Sequence, residues 1–239
     1  MTRQIAFIDR NVDDLGTLLA GIRPEVEAIL LSNDQPAPCQ MACAVRGREG
    51  LEAIHVIAHG RAGQVGFAAG ALSLESLAGY AVDLGAIGRA LGDDGKLLLW
   101  SCETAVGARG SAFLEALEST TGAKVGAATG IIGSHLRGGN WQLDISLGSE
   151  AVGAPLTSDG IASYAGILAP TPKKSALLTG ITTDSGTAGD FITNDNTLIF
   201  SGTESGVSTL GIWISGGSYG TGIGTLIGTV SGQTNWSFD

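Results

Sequence analysis

Two residues with reactive side chains stand where an apolar run gives out: His59 after Leu51 to Ala58, and Cys102 after Lys96 to Trp100. In an open parallel sheet, catalytic groups gather at the carboxyl ends of strands, where loops leave the scaffold. If these two strands are neighbours, an imidazole and a thiol lie side by side at one sheet edge. A thiol is a weak nucleophile until it loses its proton, and a nearby imidazole together with the N-terminus of a following helix favours the thiolate. The placement predicts a Cys-His dyad, with Cys102 as nucleophile and His59 as base. The main-chain N–H groups of Gly60 and Cys102, in tight turns, are the expected oxyanion donors, and glycine after the histidine permits the close approach. Residue type alone also allows a plainer reading, in which Cys102 is a small core residue and His59 a turn residue.

Around this pair, Glu103 is placed to meet a basic substrate side chain next to the nucleophile. Asp9 closes the first strand and either orients a site group or caps the following helix, with the cap favoured. His55 lies inside a strand and is expected as a hydrogen-bonded core histidine. His135, in Gly133-Ser-His-Leu-Arg-Gly138, reads as a loop residue. Cys39 and Cys43 are four apart on one helical face, which suits core packing better than metal ligation. They should therefore be shielded, leaving Cys102 as the readily alkylated thiol.

The elements that must hold these groups follow from periodicity. Strands are expected at Gln4 to Asp9, Val26 to Leu31, Leu51 to Ala58, Lys96 to Trp100 and Lys124 to Ala128, with an alternating edge strand at Asn140 to Ile145. Helices are expected at Asp13 to Ile22, Pro38 to Arg46, Leu74 to Leu77, Leu84 to Leu91 and Gly107 to Ser119, the last closed by Gly122. Gly63 to Gly70 reads as a small hairpin. Apolar strands separated by helices imply an α/β fold with a mostly parallel sheet covered on both faces.

A composition break at Leu168-Ala-Pro-Thr-Pro-Lys-Lys174 ends that pattern. Its prolines enforce an extended linker, so the chain divides into residues 1–168, a linker 169–175 and a β-module 176–239. Strands there are expected at Thr197 to Ser201, Leu210 to Ser215, Thr225 to Val230 and Trp236 to Phe238, forming a small antiparallel module. Asp190, Asn194 and Asp195 are candidate calcium ligands, though Asn and Asp between strands signal a turn first. No other metal or cofactor is indicated, since the Gly-rich stretch 216–228 lacks the strand-to-helix setting of a phosphate loop. The linker is the one extended, exposed segment a self-processing domain could reach, and it offers Leu168, Lys173 and Lys174 as candidate residues before a cut, with Leu168 favoured.

Composition narrows the function classes. Of 239 residues, 44% are hydrophobic and 15% charged, which excludes wholesale disorder. Thirteen basic against 23 acidic residues give a net charge of −10, which argues against nucleic acid and anionic membranes as partners. Three cysteines imply no disulfide framework. The opening MTRQIAFIDR has no apolar signal-peptide core, and no apolar run is long enough for a membrane span.

The motifs IHVIAHGRAGQVGF and LLLWSCETAVGARGSAFLEALESTTGAKVGAAT, with IAFIDRNVDDLGTLLAGI and GGNWQLD, occur in order over about residues 3–168. Together they resemble the domain of unknown function 4347 at the front of large bacterial repeat adhesins. That family is similar to caspase-like cysteine peptidases, which share a His-Gly after one strand and a Cys after the next. The resemblance implies a caspase-like fold, with His59 as base and Cys102 as nucleophile, acting on its own polypeptide or on a protein substrate. The tail, ITTDSGTAGDFITNDNTLIFSGT and NWSFD, resembles part of a bacterial immunoglobulin-like repeat. It implies further such repeats in a longer parent chain, secreted or at the cell surface by a route that needs no signal peptide. The expected function is a self-processing cysteine peptidase domain, with a non-catalytic adhesion or capping module of the same fold as the alternative.

Overall fold

The computed structural model describes residues 3–145, 153–169, 175–182, 199–205, 209–214, 225–231 and 235–239. The chain divides into two compact units, Met1–Pro170 and Thr171–Asp239.

The first unit is a mixed α/β fold. Its elements run β1 (Gln4–Ile8), α1 (Leu15–Ala20), β2 (Val26–Leu30), α2 (Ala37–Ala44), β3 (Leu51–Ile57), β4 (His59–Arg61), β5 (Gln64–Gly66), β6 (Leu72–Ser73), α3 (Leu74–Leu77), α4 (Ala81–Ala90), β7 (Leu91–Trp100), α5 (Gly107–Thr121), β8 (Lys124–Gly126) and α6 (Ser158–Ser163). Five strands form a parallel sheet in the order β2-β1-β3-β7-β8. The side-chain period of two splits each strand between two cores. Ile5, Phe7, Ile54, Val56, Leu97 and Leu99 face Met41 of α2, Ile87 of α4 and Phe113 of α5. Ala6, Ile8, Ala53, Ile57, Leu98 and Trp100 share the other face with Leu18 of α1 and with Leu156, Tyr164 and Leu168 from the end of the unit. The inner stretches of the strands, such as Ile5 to Ile8 and Leu97 to Trp100, are apolar because both faces are covered. Gly122 ends α5 in the left-handed region, at φ 71°.

Two sequence expectations fail here. Asn140 to Ile145 makes no strand, only isolated bridges from Asn140 to Ile132 and from Ile145 to Ala127. The cysteines of α2 are not shielded: Cys43 is exposed, Cys39 half-buried and Cys102 buried. The helix buries Ala37, Pro38 and Met41, which turns its i, i+4 cysteine pair to the flank, where the Cys39 thiol donates to Asp83 of α4 at 3.2 Å. The small hairpin is also larger than expected, a three-stranded β4-β5-β6 sheet.

The second unit holds β9 (Ser175–Ile181), β10 (Phe200–Ser205), β11 (Thr209–Ile214), β12 (Thr225–Ser231) and β13 (Asn235–Phe238). They pair antiparallel in two small sheets, β13-β10-β9 and β11-β12. β9 was not anticipated. No helix among the described residues is long and apolar enough to cross a membrane.

Candidate functional site

The strands carrying the candidate residues are neighbours. β3 and β7 pair with Ile57 opposite Trp100, and the Ala58 N–H donates to the Trp100 carbonyl at 3.3 Å. His59 and Cys102 therefore leave the sheet from adjacent strand ends. Gly60 passes so close to the Cys102 turn that a Cβ there would lie 2.6 Å from Ser101 Cβ and 2.7 Å from the Cys102 carbonyl oxygen. Only glycine fits.

His59 is 8% exposed, and its Nε2 lies 3.0 Å from the carbonyl oxygen of Asn11. A carbonyl only accepts, so Nε2 carries the proton and Nδ1 the lone pair. That Nδ1 is buried with no hydrogen-bond partner. Asn11 is itself fixed by the buried Asp9, whose Oδ1 accepts the Asn11 N–H at 3.0 Å while Oδ2 accepts the Ala68 N–H at 2.8 Å. Asp9 is thus no helix cap: α1 starts after Asp14, at φ 50°, without a side-chain cap. Its carboxylate holds the loop that orients His59.

Cys102 is fully buried. Its Sγ accepts the Ile132 N–H at 3.2 Å and faces the Ile132 carbonyl oxygen at 3.5 Å. Burial pushes the thiol up to about 11; the Ile132 and Leu168 main chain opposes the shift and the Glu103 carboxylate adds to it. No hydrogen bond joins His59 to Cys102. Glu103 is exposed, with a positive φ of 56°, and its N–H donates to the Gly130 carbonyl at 2.9 Å.

The two candidate oxyanion donors converge on one atom. The Leu168 carbonyl oxygen accepts from the Gly60 N–H at 2.9 Å and from the Cys102 N–H at 3.3 Å. Leu168 was expected in an exposed linker; it is fully buried in the core, packed where the proline-rich segment has not yet begun. Lys173, Lys174, Asp190, Asn194 and Asp195 lie outside the described residues. The chain leading to Leu168 is extended: its N–H donates to the Ile132 carbonyl at 2.8 Å, Ile167 bridges antiparallel to Gly133, and the Ser134 N–H donates to the Gly166 carbonyl at 2.8 Å. Gly133, at φ 132°, has no room for a side chain, since a Cβ would meet the Gly166 carbonyl oxygen at 2.5 Å. Gly166 is as confined, with Tyr164 Oη 2.6 Å from where its Cβ would be.

The arrangement is that of an extended peptide seated along the edge at Ile132 to Ser134, presenting one carbonyl to two N–H donors next to a thiol. Sequence reasoning missed Asn11, which acts through a carbonyl that every residue carries, and the Ile132 to Ser134 edge, whose only signal was the pair of glycines at 130 and 133.

The other histidines are placed elsewhere. His55 is fully buried, its Nδ1 accepting from Trp100 Nε1 at 3.0 Å and its Nε2 3.2 Å from Gln4 Oε1. Burial, reinforced by the Arg23 charge, lowers its pKa to about 3. His135 is exposed in a short 3-10 turn. No cluster suited to a metal ion occurs among the described residues.

The family described as Domain of unknown function (DUF4347) matches residues 5–168. The chain belongs to DUF4347. The match stops at the residue whose carbonyl sits between Gly60 and Cys102, so the whole site lies within the DUF4347 portion. No curated protein and no solved structure matches the chain.

Proposed function

We propose that residues 1–168 form a caspase-like cysteine peptidase that cuts its own chain at the Leu168–Ala169 bond. The observation that carries this is the Leu168 carbonyl oxygen, held by the Gly60 and Cys102 N–H groups at 2.9 and 3.3 Å. Such a cradle has a chemical use in acyl transfer, where it stabilises the charge that grows on that oxygen. His59 supplies a buried lone pair at Nδ1, with its other nitrogen anchored on Asn11.

In this reading His59 Nδ1 takes the Cys102 proton and the sulfur bonds to the Leu168 carbonyl carbon, placing the charge on the cradled oxygen. Collapse breaks the bond to Ala169 nitrogen, which takes the proton from His59. Water then hydrolyses the thioester, restoring the thiol and leaving a carboxylate at Leu168. The resting thiol is protonated at neutral pH and turned to Ile132, so reaction requires it to exchange that carbonyl for His59 Nδ1. The released portion begins at Ala169, and its resemblance to an immunoglobulin-like repeat, supported by its antiparallel strands, makes it the start of the adhesive part of a secreted or surface protein.

A second reading, a non-catalytic module that kept the fold, is favoured by the full burial of Cys102 and by the missing His59 contact. Intact mass of the purified full chain over time separates the two. A fragment beginning at Ala169 in the wild type and absent in Cys102→Ala supports the peptidase; the same cleavage pattern in both chains, or full-length chain only in both, removes it.

A further inference from the structure

We infer that Gly166–Leu168 keeps its seat after the cut, so that the domain fires once and is then closed by its own new C-terminus. This rests on the peptidase reading. The segment is held far upstream of the bond that breaks. The Arg23 N–H donates to the Pro155 carbonyl and the Thr157 N–H to the Gly21 carbonyl, each at 2.9 Å. Leu156 bridges antiparallel to Ile22, and Gly160 of α6 lies so tightly on Gly21 that a Cβ would come within 2.6 Å of the Gly21 Cα. Leu156, Tyr164 and Leu168 are buried in the same core as Trp100 and Cys102.

Breaking the bond after Leu168 removes none of these contacts. The product end stays tethered beside the site, at an effective concentration of order millimolar or above, against which a peptide arriving from solution must compete. The cut also replaces a neutral carbonyl by a carboxylate. Its hydrogen bonds from Gly60 and Cys102 become charge-assisted and stronger, and its negative charge disfavours the thiolate form of Cys102. The substrate of this enzyme is therefore its own chain, presented as an extended Gly-Ile-Leu end. Other chains are excluded by occupancy.

The test uses the full chain after it has cut itself. Iodoacetamide labelling, read by peptide mapping with the exposed Cys43 as reference, is expected to modify Cys102 at least about 100-fold more slowly than Cys43. Gly166→Val, which pushes the segment against Tyr164, and Leu168→Gly, which removes its buried anchor and stands in should Gly166→Val not fold, should each speed Cys102 labelling by about 10-fold or more. In parallel, the cut wild type is mixed with excess uncut Cys102→Ala chain, which should stay intact. Labelling of Cys102 in the cut wild type as fast as in the variants, or more than one Cys102→Ala chain cut per enzyme, overturns the inference alone. A chain that never cuts itself overturns the peptidase reading and this inference with it.

Discussion

His55 and His59 stand four residues apart on one run of chain and carry their proton on the same nitrogen, yet their surroundings give them opposite uses. At His55 the sheet engages both nitrogens: Trp100 Nε1–H, a donor only, fills the Nδ1 lone pair, and Nε2–H points to Gln4 Oε1. Trp100 also stacks on the ring at 6.1 Å between centroids. A proton added at Nδ1 would face the Trp100 N–H at a fully buried position, so this imidazole stays neutral near pH 7. At His59, just past the strand end, Nε2 is equally anchored, on Asn11, while Nδ1 has no partner. Burial alone makes a structural histidine; burial with one nitrogen anchored and the other open makes a candidate base.

The largest way to break this contrast is to remove what the open nitrogen would serve. Cys102→Ala should abolish the fragment beginning at Ala169, as read by intact mass. His59→Gln should slow its appearance by about 10²- to 10⁴-fold, the usual span for a lost general base. His55→Leu should leave that rate within about threefold and instead lower folding stability by about 1–3 kcal/mol in a denaturant titration, because the Trp100 N–H loses its acceptor. Equal rate losses in the two histidine variants would erase the distinction.

Acid should probe His55 as well. The folded pKa of His55 is depressed from 6.5 to about 3. The stability linked to its neutrality is therefore complete above about pH 6.5 and is lost as pH falls toward 3, where the unfolded chain gains a proton that the folded chain refuses. Its slope reaches at most about 1.4 kcal/mol per pH unit. Thermal midpoints measured from pH 7 to 4 should fall, and His55→Leu should flatten that fall. The smallest effect belongs to Glu103, whose carboxylate adds to the rise of the Cys102 thiol from an exposed position. Glu103→Gln should speed iodoacetamide labelling of Cys102 by no more than about threefold.

What the sequence made legible is what depends on pattern. Apolar runs such as Leu97 to Trp100 and Ile54 to Ala58 announce a sheet covered on both faces, and α5 announces itself by Phe113, Leu114 and Leu117 with Gly122 behind them. Strand ends then bring His59 and Cys102 to one edge. Pattern fails where main-chain atoms or tertiary phase decide. Asn140 to Ile145 alternates like a strand yet finds partners only at its two ends. The i, i+4 spacing of Cys39 and Cys43 fixes that they share a face but leaves open which face α2 buries. Leu168, one residue from a proline-rich stretch, has the local look of a linker, and its burial comes from main-chain pairing beside Ile132 to Ser134 and from packing in the core with Trp100 and Tyr164.

The space denied at Gly60 bears on how relatives of this chain should be read. A side chain there collides with Ser101, Thr104 and Cys102 whether or not any chemistry follows, so relatives lacking the dyad would still need this glycine for packing. A Gly at that position therefore identifies kinship without function. Divergence at His59 and Cys102, with Gly60 unchanged, would mark relatives that keep the architecture without the proposed dyad.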